Sequence, residues 1–274
     1  VTIKSTSTEM MLALGLGDRI VGTAFADGPT PDAYAKAAAD IPVLSDQAPS
    51  QEAVLDLEPD FVYGGWESNF AADTAGDRQT LARLGVTSYV SPAACKESDY
   101  QPDPLTFDAV FDQIRELAAI FAVPERANKL IADQKTLLDS VAEPGHGLSA
   151  LWYSSGEDAP YVGGNIGAPA MIMNELGLEN VFADVHDTWS TVSWEQVVDR
   201  DPDVIILVDA TWNTAQSKID RLESNPATSA MTAVREKRYL YVPFPAGEAG
   251  VRNAQAVVDL ATQLDELSSQ TPAG

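Results

Sequence analysis

The stretch Ser50-Gln51-Glu52-Ala53-Val54-Leu55-Asp56-Leu57-Glu58-Pro59-Asp60-Phe61-Val62 recurs, without a gap, as Ser193-Trp194-Glu195-Gln196-Val197-Val198-Asp199-Arg200-Asp201-Pro202-Asp203-Val204-Ile205. Ser, Glu, Val, Asp, Pro and Asp coincide at six of the thirteen positions. Each copy reads as one small unit. The serine caps a short helix, and the glutamate sits in the first turn, where the helix dipole favours an anion. Pro-Asp breaks the helix and feeds a buried strand. Two copies far apart in the chain predict two similar lobes rather than one large sheet; the alternative is chance convergence on a common unit. Glu52 and Glu195 hold the same exposed place in their copies. Helix capping is the ordinary role of such a residue. The functional alternative is a matched pair of acidic knobs that meets two basic pockets on a partner.

Outward from the repeat, short apolar strands alternate with helices. Thr2-Ile3-Lys4 reads as a strand, and Ser5-Thr6-Ser7-Thr8-Glu9 as the polar cap of a helix Met10–Leu16. Strands follow at Arg19–Thr23, Val43-Leu44, Asp60–Tyr63 and Thr87–Val90, with helices at Gln51–Leu57 and Arg78–Leu84. This alternation predicts a parallel sheet with helices on both faces. Between Phe107 and Ala142 turn chemistry nearly vanishes, and Phe107, Val110, Phe111, Ile114, Leu117, Ala118 and Phe121 keep a helical spacing. Pro124 restarts the helix, and Glu125–Ala142 extends it for roughly 28–30 Å. A long helix with strand–helix units on either side is a connector between lobes or, alternatively, a crossover inside one sheet. The alternation then resumes with strands at Ala150–Tyr153, Tyr161-Val162, Val204–Val208 and Tyr239–Val242. Helices are expected at Ala170–Leu176, Glu195–Val198, Thr214–Ser224 and Val251–Leu267. The division expected is an N-terminal α/β lobe over 1–122, a backbone helix over 123–144 and a C-terminal α/β lobe over 145–274.

Composition excludes several classes. The 274 residues carry a formal net charge of −24, which disfavours binding to nucleic acid or to an anionic membrane surface. A hydrophobic content of 45% is enough for a core, so the chain is not a disordered polyanion. The single cysteine, Cys95, rules out an intrachain disulfide and a cysteine-held cluster. The two histidines, His146 and His186, lie in loop-like contexts and lack the spacing of a zinc pair. No metal site and no cofactor are expected. Apolar runs fall short of the ~20 residues of a membrane span.

Taken in order, these segments resemble the substrate-binding proteins of ABC importers for iron-siderophores, haem and cobalamin. The likeness rests on Ser50–Val62 and on Pro124-Glu125-Arg126-Ala127. It continues through Gly163-Gly164-Asn165, Glu175-Leu176-Gly177-Leu178-Glu179-Asn180-Val181, and Val192–Glu195 with Pro202–Ile205. The resemblance implies a class III periplasmic binding protein fold, with two Rossmann-like lobes joined by one long rigid helix and a ligand held in the cleft between them. It implies that Glu52 and Glu195 dock onto arginines of a permease dimer. It also implies a monomeric, exported, extracytoplasmic protein, lipid-anchored to the outer face of the cell membrane or periplasmic, whose signal segment is absent from this chain. Four stretches are similar to an actinobacterial group that imports a deazaflavin cofactor precursor: Thr23–Pro29, Tyr89–Cys95, Tyr161–Gly163 and Pro243–Arg252.

In open α/β sheets ligands meet the loops at the carboxyl ends of strands. The candidates there are Thr6, Ser7, Trp66, Glu67, Lys96, Trp152, Tyr153, Tyr161, Asn165, Trp189, Trp212 and Arg252. Aromatic walls suit a flat conjugated ligand such as a deazaflavin, haem, corrin or catecholate; packing in the core is the ordinary alternative for a tryptophan. Cations are few, with Lys96, Arg78 and Arg252 the candidates, so a neutral or weakly anionic planar molecule is favoured over a highly charged ferric chelate or free iron. An enzyme of the same fold is the competing class. Gly163-Gly164-Asn165-Ile166-Gly167 matches neither a P-loop nor a dinucleotide fingerprint, and no Gly-x-Ser-x-Gly elbow occurs. A receptor that passes its ligand to a sensor is a third reading, in which Glu52 and Glu195 are simple caps.

Overall fold

The computed structural model describes residues 1–95, 97, 99–142 and 144–270. It divides into two compact units, Val1–Pro102 with Asp108–Ala132, and Asp103–Phe107 with Asp133–Gly274. The first contains β1 (Thr2–Ile3), α1 (Ser5–Ala13), β2 (Thr23–Ala24), α2 (Asp32–Ala38), β3 (Val43–Ser45), α3 (Gln51–Leu55), β4 (Phe61–Gly64), α4 (Arg78–Arg83), β5 (Thr87–Val90) and α5 (Phe107–Ile120). Its five strands are all parallel, in the order β3-β2-β1-β4-β5. Ile3, Val54, Val62, Phe70, Leu81, Val86 and Val90 form its core. The chain moves from β1 outward through β2 to β3 and then returns to β4 on the other side. The strand order therefore reverses between β1 and β4.

The division between units falls within α6 (Pro124–Asp139). This helix stops at Asp139, three residues before the expected end at Ala142, where Ser140 turns its hydroxyl back onto the Leu137 carbonyl at 2.6 Å. Its 16 residues span about 24 Å. The second unit holds β6 (Ser149–Ser155), β7 (Tyr161–Gly163), α7 (Ala168–Glu175), β8 (Glu179–Asn180), β9 (Trp189–Thr191), α8 (Trp194–Arg200), β10 (Val204–Asp209), α9 (Ala215–Ser224), α10 (Thr232–Arg235), β11 (Tyr239–Pro243) and α11 (Asn253–Gln270). The strand order is β11-β10-β6-β7-β9, and β8 also pairs with β6. Here the sheet is mixed rather than purely parallel. β7 runs antiparallel to both β6 and β9, because only a tight turn at Gly156 separates it from β6. Gly156 has φ +90, and a Cβ there would strike the Ala159 carbonyl.

The two copies of the repeat fold alike down to single backbone angles. Ser50 Oγ accepts the Ala53 N–H at 3.2 Å, and Ser193 Oγ accepts the Gln196 N–H at 3.2 Å. Gln196 returns its side-chain oxygen to the Ser193 N–H and completes a capping box. Val54 and Val197 are both fully buried, as are Val62 and Ile205. Each proline is preceded by a left-handed residue, Glu58 at φ 47 and Asp201 at φ 36; Asp201 is the cap of α8, whereas α3 ends earlier, at Leu55. The Asp after each proline differs in its contacts. Asp203 Oδ2 accepts the Ser149 N–H at 2.8 Å and the Ser149 hydroxyl at 2.7 Å, and so ties β10 to the start of β6.

The polar run Ser5–Glu9 is not a cap, as its composition suggested; it forms the buried first turns of α1. Ser7 Oγ donates back to the Ile3 and Lys4 carbonyls, while the hydroxyls of Thr2, Thr8 and Thr23 form a chain with steps of 2.8 Å. Internal satisfaction of this kind lets hydroxyl residues occupy a core. The expected strand Arg19–Thr23 is reduced to β2, with a turn of 3-10 helix at Gly17–Arg19 before it.

Asp203→Ala removes the acceptor of two buried-edge hydrogen bonds. It should lower unfolding free energy in urea by about 1–3 kcal/mol at neutral pH. The Ser149 hydrogen bonds hold the Asp203 carboxyl below its ordinary value of 3.8. The stabilisation is therefore present above pH 3.8 and is lost as pH falls through the lowered value. The gap between wild type and variant should close in acid.

Candidate functional site

In the first unit, the loops after β1, β2 and β4 converge where the strand order reverses. Lys4 follows β1 directly and is 2% exposed. Its ammonium is paired with the carboxylate of Asp27, which lies on the loop after β2 and is also buried. The same ammonium sits 3.8 Å from the centroid of the Trp66 ring and 4.2 Å from that of Phe25. Both rings are half-buried, so the surface presents aromatic carbon with a cation beneath it. Asp27 also engages the start of α1: its Oδ2 accepts the Ser5 N–H at 3.4 Å, and its own N–H donates to Ser5 Oγ at 2.9 Å. Burial pushes the Asp27 carboxyl up, against the opposing pull of Lys4.

Backbone geometry at this point is unusual. Lys4 adopts φ 85 and ψ 151, a region that belongs almost entirely to glycine, and Phe25 has φ 55. Such conformations persist where surrounding contacts over-determine them, and they cluster at functional sites. Gly65 completes the arrangement. A Cβ on it would lie 2.8 Å from both Lys4 Cβ and Thr6 Oγ1. Only glycine lets the β4 loop, with Trp66 and Glu67, approach β1 this closely.

The second unit has aromatic side chains of its own, at the first residues of β7 and β9 and in the loops after β10 and β11. Tyr161 and Trp189 stack with centroids 5.8 Å apart and an interplanar angle of 16°. Burial, then the Asp187 and Glu248 carboxylates, push the Tyr161 phenol up. Trp212 is 60% exposed and meets Phe244 edge-on at 5.7 Å. Asn165 Nδ2 donates to the Ala183 carbonyl at 2.8 Å, while its Oδ1 has no partner among the described residues. Lys218 is a buried cation of a different kind. Its ammonium donates to the Val208 and Asn213 carbonyls at 2.7 Å each, and burial pushes its pKa down to about 8.

The residues expected from sequence separate into groups. Trp66, Glu67, Asn165, Trp189 and Arg252 are half-buried, and Tyr161 and Trp212 are exposed. Thr6 lies on the first turn of α1 and is 7% exposed. Ser7, Trp152 and Tyr153 are fully buried. Tyr153 donates its hydroxyl to the Gly156 carbonyl and packs edge-on against Trp194. Trp152 lies beneath Gly247, and its indole N–H has no partner among the described residues. Lys96 lies outside the described residues. Sequence reasoning missed the Lys4–Asp27 pair and the rings of Phe25 and Phe244. A lysine at the end of an apolar strand and an Asp-Gly-Pro turn were the available signals. Glu52 and Glu195 are both exposed. The Glu195 carboxyl is held below its ordinary value by its own backbone N–H and the Ser193 hydroxyl.

Comparison with known proteins places this geometry. The family model for periplasmic binding proteins matches residues 1–246, and the chain belongs to that family. The vitamin B12-binding protein of Yersinia pestis is 27% identical over 238 residues, covering 82% of this chain and 72% of that protein. A periplasmic binding protein from Veillonella parvula is 27% identical, with a TM-score of 0.85 over 96% of this chain and 90% of its own. The structure of an ABC-type Fe3+-hydroxamate transport system from Saccharomonospora viridis is 25% identical, with a TM-score of 0.78 over 96% and 92%. Two of these relatives are named as binding proteins and the third as part of a transport system. Among the described residues, no helix is long and apolar enough to cross a membrane.

Three variants test the electrostatics. Lys4→Met leaves the Asp27 carboxylate buried without a counter-ion and should cost about 3–5 kcal/mol in urea unfolding, whereas Lys4→Met with Asp27→Leu should recover most of it. Lys218 binds fewer protons folded than unfolded between pH 8 and 10.5, so its contribution to stability rises with pH across that window. In Lys218→Met that rise should be absent, as read by thermal melts across the same range.

Proposed function

We propose that this protein captures a small, flat organic molecule or metal chelate outside the cytoplasm and delivers it to the permease of an ABC importer. The observation that carries this reading is membership of the periplasmic binding protein family together with aromatic side chains at strand ends and adjoining loops in each unit. Aromatic faces with a few polar groups are the usual lining of a site for a conjugated ligand. In the first unit the candidate contacts for such a ligand are Trp66, Phe25, Thr6 and Glu67. In the second unit, taken by itself, they are Tyr161, Trp189, Asn165, Trp212 and Arg252; Lys96 is a candidate from sequence alone. The relatives named for vitamin B12 and for ferric hydroxamate support a bulky, polar-rimmed ligand. A deazaflavin precursor has the same flat chemistry and has no counterpart among them.

Glu52 and Glu195 are proposed to dock onto a permease dimer. Each is the second residue of a serine-capped helix in its own copy of the repeat, and each side chain is exposed. Exposed carboxylates at matched positions steer and register a basic partner more than they stabilise the fold. A monomeric protein held at the outer face of the membrane by a lipid anchor, or free in a periplasm, fits this role.

Glu52→Ala combined with Glu195→Ala should abolish uptake by cells carrying the importer while ligand affinity and melting temperature stay unchanged. A fall in affinity instead would place the pair in the ligand site or the fold. Ligand addition should quench tryptophan fluorescence, with Trp66→Phe, Trp189→Phe and Trp212→Phe each reducing the amplitude. Full quenching in all three variants would contradict the aromatic site.

A further inference from the structure

The carboxyl edge of a parallel sheet, where strand order reverses and a helix begins, is the ordinary seat of an anionic ligand group. In the first unit that seat lies between β1 and β4, at the start of α1, and it is filled from within. Asp27 places its carboxylate on the Ser5 N–H at the first turn of α1 and on the Lys4 ammonium. Lys4 is neutralised by Asp27 and covered by the rings of Phe25 and Trp66. The pair carries no net charge, wherever its proton lies. Both partners are at least nine-tenths buried, so neither reaches a ligand without rearrangement.

We infer that this arrangement makes the aromatic platform of Phe25 and Trp66 selective for a neutral or cationic flat ligand and against a polyanionic one. The inference rests on the solute-capture reading above and narrows its ligand class. Three features act together. One helix-start donor that an anion would seek, the Ser5 N–H, is engaged by Asp27. The cation that would neutralise the anion is already paired. The half-buried rings, each with the paired Lys4 ammonium over one face, offer conjugated carbon on which a neutral plane stacks. In the second unit, burial first and then the Asp187 and Glu248 carboxylates raise the Tyr161 phenol, so negative rather than positive charge acts on that side chain of the Tyr161–Trp189 stack. Arg252 opposes this trend. The overall charge of −24 adds a long-range field of the same sign as Asp187 and Glu248.

The test is a calorimetric titration of the full chain with ligands that differ in charge. The panel is a neutral deazaflavin, cyanocobalamin, an uncharged ferric trihydroxamate and a trianionic ferric tris-catecholate. At least one uncharged member should bind more tightly than the tris-catecholate by about tenfold or more. In Asp27→Asn the Lys4 ammonium loses its counter-charge. The tris-catecholate should then gain about tenfold, while the uncharged ligand shifts by less than about threefold. Wild-type protein that binds the tris-catecholate as tightly as, or more tightly than, every uncharged member overturns the inference and leaves solute capture standing. An Asp27→Asn protein that folds without gaining anion affinity overturns it as well. Should that variant not fold, the wild-type ranking decides alone. Binding by no member of the panel to either protein counts against the capture reading itself, and the inference falls with it.

Discussion

The contact between Lys4 and Asp27 fixes the first unit at the point where its topology turns. It joins the end of β1, the start of α1 and the loop after β2, and it sets the ring of Trp66 from the β4 loop over the same ammonium. Three neighbouring crossovers are thereby held to one charged centre. A buried pair of this kind contributes little net stability, since desolvation offsets attraction, but loss of either partner is costly. Its contribution here is to positioning. The unusual backbone of Lys4 and the close approach at Gly65 both follow from it.

Around that centre the fold obeys simple rules. Short apolar strands buried on both faces pair in parallel and need helices as crossovers. The repeat supplies one such crossover to each unit. A serine starts the helix, a left-handed residue precedes the proline, and Pro-Asp leads into the next strand. Because the copies end in the same backbone conformation, Glu58 and Asp201, their exposed glutamates hold the same relation to their own sheets. A permease with two like subunits would meet two like surfaces.

Much of this was legible in the sequence, and the exceptions have physical causes. The repeat could be read because its signals are local: a cap, a breaker and an apolar run. The helix α2 escaped a reading by apolar periodicity, since Ala33 to Ala39 carries no apolar stripe, although its alanines favour a helix. Strand direction has no local signature either, so the reversal of β7 emerges only from its tight turn with β6. Ser5 to Glu9 looked like a cap because hydroxyl residues favour helix starts, but back-bonding to Ile3 and Lys4 lets them enter the core. Among the tryptophans, sequence places Trp152 and Trp66 alike beside strand ends. Packing separates them: Trp152 alternates with Leu151 and Tyr153 inside β6, whereas Trp66 lies beyond β4. The Lys4–Asp27 pair escapes local reading because its partners stand on different loops.

The central claim is that this chain is a carrier whose strand-end aromatics hold a ligand of zero or positive charge. Native mass spectrometry of the chain isolated from cells that produce it, before and after denaturation, tests that claim most directly. The account predicts a single bound small molecule with a conjugated or chelate chromophore, neutral or cationic, released chemically unchanged after prolonged incubation. A bound polyanion, or conversion of the molecule during incubation, would contradict it.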